Sequence, residues 1–162
     1  MKILTKVMIS LLTLLCLQVT AAQAAGYEAL EGVGSAKAIF DVRIGQPQSA
    51  ALHLKLIHQT YKDLAMAKKK PNFVVVFIGP SVKLISKNRA EFTLEDQQSL
   101  DEIATAVSDM KRDGIKTEVC GVALKIFKVD PASVLPEIKK VENGWISEIG
   151  YQAKGYSLVP AY

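Results

Sequence analysis

Phe73-Val74-Val75-Val76-Phe77-Ile78 is the stretch that decides the fold. Every side chain in it is apolar, so an extended conformation has no wet face, and its run of valines favours pleated backbone. A strand dry on both sides belongs at the centre of a sheet with helices above and below it. Pro71 and Gly79-Pro80 punctuate it on either side.

Upstream, Ala50, Leu54, Ile57, Tyr61 and Leu64 recur at the three-to-four spacing of one buried helical face, which predicts a helix over residues 49–68. Before it, residues 36–44 alternate, with Ala38, Phe40, Val42 and Ile44 on a dry face and Lys37, Asp41 and Arg43 on a wetter one, as in a strand ended by residues 45–47. Downstream, residues 81–85 read as a turn or a short extended piece. Thr93 is then the expected N-cap of a helix with the stripe Leu100, Ile103, Ala104, Val107 and Met110, and Gly114 is its stop. A strand over residues 115–119 runs directly into Cys120-Gly121, followed by a short helix over 122–127 and the Asp130-Pro131 turn. The chain closes with a strand at 138–141, a helix at 144–154 carrying Trp145, Ile149 and Tyr151, the stop Gly155, and a strand at 156–159. Strand and helix alternate throughout, which predicts an α/β layered sandwich: a mostly parallel sheet of about five strands with helices on both faces.

The N-terminus speaks to location. Lys2 and Lys6 form a positive region, residues 7–19 an apolar stretch, and Ala22-Gln23-Ala24 a small-x-small site, the three parts of a secretory signal over residues 1–24. Ser10, Thr13 and Gln18 interrupt the apolar stretch, which falls short of the ~20 residues a membrane span needs. No span is expected after cleavage near Ala24, and bulky Leu15 argues against lipidation at Cys16. The expected location is periplasmic or secreted. Residues 25–34, rich in Gly, Ala and Glu, show no periodicity and read as a flexible leader to one domain over residues 35–162. Loss of Lys2 and Lys6 lowers the formal net charge from +4 to about +2, too near neutral to predict binding to nucleic acid. Lys68-Lys69-Lys70 sits at a helix end, where solvated cations suit the macrodipole.

Processing leaves Cys120 as the one cysteine, so no internal disulfide is possible. A thiol at a strand-to-helix junction lies beside unpaired N–H groups and the positive end of the helix dipole, both of which favour thiolate. Gly121 removes bulk beside it, and Lys116, Lys125 and Lys128 add positive charge in the neighbouring sequence. Such a thiolate can accept a sulfane sulfur as a persulfide and pass it on. The opposing expectation is a buried cysteine that acts as a small hydrophobe. His53 and His58 are five positions apart, not the three or four that put two ligands on one helical face, so no metal site is expected. Gly32-Val33-Gly34 precedes the first strand, and neither a dinucleotide fingerprint, a Walker sequence nor a G-x-S-x-G elbow occurs, so no nucleotide cofactor or serine triad is expected.

The string Asp113-Gly114-Ile115-Lys116-Thr117-Glu118-Val119-Cys120-Gly121-Val122-Ala123-Leu124, continuing to Val129-Asp130-Pro131, resembles the DsrE/DsrF-like family of small sulfur-handling proteins. There a strand ends in Cys-Gly or a close variant, and a short helix and a hydrophobic-Asp-Pro turn follow. Residues 73–80 resemble that family's central strand and loop, and residues 153–160 its closing strand, so that the resemblance spans residues 35–162. It implies homo-oligomeric assembly, as a trimer or hexamer, and a cysteine that carries persulfide sulfur in relay reactions, a role that falls on Cys120. The implied partners are a sulfur donor or acceptor protein or a small sulfane-sulfur compound. An export signal departs from the cytoplasmic relay members and separates the chain from their partners. Two expectations follow: an exported sulfur-carrier or sulfurtransferase-like protein with Gly79, Pro80 and Ser81 beside the Cys120 pocket, or a non-enzymatic oligomeric binding module with a structural Cys120. Trp145, Tyr151 and Tyr156 are the expected apolar surface for self-association in either case.

Overall fold

Residues 27–162 are described by the structure, a computed structural model; the expected signal sequence over residues 1–24 lies outside the described residues. Residues up to Gly32 form a separate unit whose described part holds one 3-10 turn, Glu28–Leu30.

The valine-rich segment lies where its composition requires. Strands β1 (Ala36–Val42), β2 (Pro71–Phe77), β3 (Lys116–Cys120), β4 (Lys139–Val141) and β5 (Ser157–Ala161) pair in parallel in the order β4-β3-β2-β1-β5, which puts β2 in the middle. Phe73 through Ile78 are all buried. Helices α1 (Pro47–Met66), α2 (Asp96–Arg112), α3 (Gly121–Ile126) and α4 (Gly144–Ala153) connect the strands.

Handedness distributes the helices. The first four strands follow one another across the sheet, so right-handed crossovers put α1 and α2 on one face, where they pack against each other. The chain then returns from β4 at one edge to β5 at the other. That reversal puts α4 on the opposite face, against β1, β2, β3 and β5. Strand alternation sorts the side chains between the two faces. Phe73 lies 4.9 Å from Phe40 and 5.5 Å from Tyr61 of α1 between ring centroids, which marks the α1 side. Ile39, Asp41, Val74, Val76, Glu118 and Cys120 have the opposite parity and lie beneath α4.

Three local expectations are corrected. The wetter face of β1 is dry at Asp41, only 2% exposed beneath α4, while Lys37 is exposed and Arg43 partly so. Residues 45–47 do not merely end the strand, since α1 starts at Pro47, an N-terminal position where proline has no helical N–H to forfeit. Thr93 does not cap α2, which starts at Asp96. Instead the Asp96 carboxylate accepts from the backbone N and Oγ1 of Thr93 at 3.1 and 2.9 Å, closing a turn ahead of the helix.

Candidate functional site

Cys120 is the last residue of β3, and its backbone stays extended while the next residue turns into α3. Its Sγ accepts from the backbone N–H of Ala123 at 3.5 Å, so the thiol itself caps α3. The side chain is 4% exposed.

Two glycines explain how the chain fits around it. A Cβ on Gly144, the first residue of α4, would meet the Cβ of Cys120 at 3.0 Å and Cδ1 of Ile78 at 2.9 Å. The backbone at the start of α4 is therefore the cover over the cysteine. Asn143 fixes that start, its Oδ1 accepting from Trp145 N at 3.0 Å. Gly121 has another use than the sequence suggested. A Cβ there would come within 3.0 Å of Val141 O and 3.2 Å of Glu142 O, and Val122 N donates to Glu142 O at 3.1 Å. Its missing side chain lets α3 start against the backbone at the end of β4, and no passage to the sulfur results.

The other residues named from sequence have settings of their own, and the turn at Gly79–Lys83 packs against α3. Lys116 opens β3, about 13 Å back along the strand from Cys120 at a rise of roughly 3.3 Å per residue. Lys125 is exposed on α3. Ser81, in the 3-10 turn Gly79–Lys83, commits its hydroxyl to Val42 O and Ile78 O at 2.7 and 3.0 Å, while Pro80 packs on Gly45. His58 Nε2 pairs with Asp113 Oδ2 at 2.6 Å, and His53 Nδ1 lies 2.8 Å from Ser49 O, so the two rings serve separate local contacts. Among the described residues, no group of three or more His, Cys, Asp or Glu side chains could hold a metal ion, and no helix is long and apolar enough to cross a membrane.

The polar groups that sequence reasoning missed lie on the Cys120 face, under α4. Glu118, two residues before the cysteine and equally buried, accepts from the hydroxyls of Ser147 and Tyr151, the latter at 3.2 Å. Burial, and then the charge of Glu118, push the Tyr151 phenol up to about 12. Arg43 Nε donates to both Asp41 oxygens, at 2.8 and 3.0 Å. Glu148 points inward onto this pair. Burial first, and then the charge of Asp41, raise its carboxyl to about 7, and Arg43 offsets only part of that. Glu148 Oε1 is buried with no hydrogen-bond partner.

Helix α4 is thus inverted, with a carboxylate inside and Trp145, Ile146 and Ile149 outside at 58%, 68% and 66% exposure. Tyr151 and Tyr156 do not join that outer surface, because their rings stack edge-on at 5.0 Å and cover each other. A signal for the inward face exists in sequence. Gly144, Ser147, Glu148 and Tyr151 share the i, i+3, i+4, i+7 spacing of one helical face, but hydrophobicity directs attention to the large apolar residues instead.

This arrangement has relatives of known structure. The protein of unknown function MTH1491 from Methanobacterium thermoautotrophicum superposes with a TM-score of 0.61 at 14% identity, over 78% of this chain and 99% of that one. The ychN protein from E. coli gives 0.53 at 8% identity, over 77% and 98%. At such identities the likeness is one of fold. An uncharacterized protein of Aquifex aeolicus (strain VF5) is 26% identical over 125 residues, or 76% of this chain, and the chain spans 55% of that relative's length. Residues 37–160, from β1 through β5, match the DsrE/DsrF-like family, and the chain belongs to it.

Proposed function

We propose that this chain is an exported sulfur carrier, released by cleavage near Ala24, that holds a persulfide on Cys120 and hands it to an acceptor. The observation that carries this reading is the position of Cys120: the one free thiol among the described residues, at the carboxyl end of β3, where α/β sheets gather their reactive groups, with Sγ as the cap of α3. Membership in a family often engaged in sulfur relay supports it. In the loading step the Cys120 thiolate attacks the terminal sulfur of a sulfane donor. The donor's S–S bond breaks, the donor departs as a thiolate, and Cys120 becomes a persulfide. An acceptor thiolate then attacks the outer sulfur and restores Cys120, with no net oxidation. The donor and acceptor are a partner protein or a small sulfane-sulfur compound. Assembly as a homo-trimer or hexamer is supported by the apolar outer face of α4, Trp145, Ile146 and Ile149.

A second reading, an oligomeric binding module with a structural cysteine, is favoured by one observation, the 4% exposure of Cys120. Intact mass after incubation with a sulfane-sulfur donor separates them. The carrier is expected to gain one sulfur atom, to lose it on reduction, and to show no gain as Cys120→Ser. No adduct across several donors, with a thiol that labels only after unfolding, leaves the binding module.

A further inference from the structure

The cover over Cys120 and the buried acid are parts of one helix. Gly144 rests on the cysteine, and Glu148 lies four residues on, one turn away on the same face. Glu148 is 6% exposed on the helix that packs over β1 and interacts with Asp41, itself 2% exposed, so two buried carboxyl groups share the neighbourhood of Arg43. Buried like charges at close range cannot both ionise cheaply, so one proton shared between them is the condition under which α4 seats well. We propose that the Asp41–Glu148 pair is a proton-operated latch: with the proton shared, α4 closes over Cys120, and when the proton leaves, the start of α4 lifts and opens the thiol to its partners. This regulates the site of the preceding reading, yet needs only a thiol under a helix and would stand without sulfur transfer.

The groups facing Glu148 allow no other holder of that role. From β1 come Asp41 and Arg43, and Tyr162 beyond β5 acts on Arg43. From β3 comes Glu118, already bonded to Ser147 and Tyr151. From β2 come Val74 and Val76, which do not titrate. Arg43 meets Asp41 through Nε, and Oε1 of Glu148 is buried without a hydrogen-bond partner. Ionised Glu148, buried with one oxygen unpaired, gains by reaching water, and lifting α4 brings it there.

The test is the rate at which a neutral thiol reagent labels Cys120 between pH 6 and pH 8, in the native chain and in Glu148→Gln. Both share the thiol's own titration, so the ratio of native to variant rates isolates the latch. The ionised fraction of a group titrating at about 7 rises roughly tenfold over that range, and the ratio is expected to rise by a similar factor. A ratio that stays flat overturns the proposal. Should Glu148→Gln fail to fold, hydrogen exchange of the α4 amides in the native chain decides the matter: faster exchange at pH 8 than at pH 6, beyond the intrinsic rate, supports the latch, and unchanged protection overturns it. Gated labelling without any persulfide keeps the latch and removes the carrier. Persulfide loading with a flat ratio does the reverse.

Discussion

At the scale of single residues, two glycines in one helix have opposite meanings. Gly144 has no room for a side chain, with Ile78 and Cys120 at 2.9 and 3.0 Å from where a Cβ would stand. Gly144→Ala is expected to cost about 1–3 kcal/mol through overpacking, read from the urea midpoint, and to speed labelling of Cys120 by lifting α4. Gly150 meets nothing within 4 Å, so Gly150→Ala is expected to stabilise by about 0.5–1 kcal/mol through helix propensity alone. Equal effects from the two would contradict the seat of α4 described above. Cys120 was legible in sequence because a strand running into Cys-Gly can be recognised without knowing any contact. Glu148 was not, since nothing local distinguishes a buried glutamate from a solvated one; its partner Asp41 is over a hundred positions away and meets it only because the last crossover reverses direction.

At the scale of elements, the strands and helices that could be read are those whose burial is set by their own side chains. β2 is apolar on both faces and lies at the centre, and α1 follows the spacing of Ala50, Leu54 and Ile57, all buried. The polar side of β1 reads as wetter than it is, and the buried polar side of α4 escapes notice, for one shared reason. Each lays polar groups against the other, Asp41 and Arg43 against Glu148, and a polar face that pairs with a polar face looks solvated from either side. The outer face of α4 then carries the apolar residues. Replacing Trp145 and Ile149 by serine is expected to leave the monomer's stability within about 0.5 kcal/mol, since both are exposed there, and to reduce the proposed assembly to monomers in sedimentation. Variants that sediment like the native chain would move the assembly surface elsewhere.

At the scale of the whole molecule, the buried acid sets how stability depends on pH. Glu148 titrates at about 7 in the fold against an ordinary 4.5, so between these values the folded chain holds a proton that the unfolded chain releases. Its contribution to stability is greatest below that interval and declines as pH rises through it, levelling above about 7. Asp113, lowered by its hydrogen bond from His58, acts in the other direction, its contribution fading as pH falls below the ordinary 3.8. The thermal midpoint is therefore expected to fall from pH 5 to pH 8, and Glu148→Gln to flatten that decline. A native midpoint that rises over the same range would contradict a protonated Glu148. Another whole-molecule consequence comes from the order of the sheet. β1, the first strand, is walled on one side by β5, the last, with Ala38 opposite Ser157. A ribosome delivers β5 after the other four strands, and α4 only just before it. Until then the hydrogen-bonding edge of β1 stays open and Asp41 stays wet, so an emerging chain cannot complete its domain early.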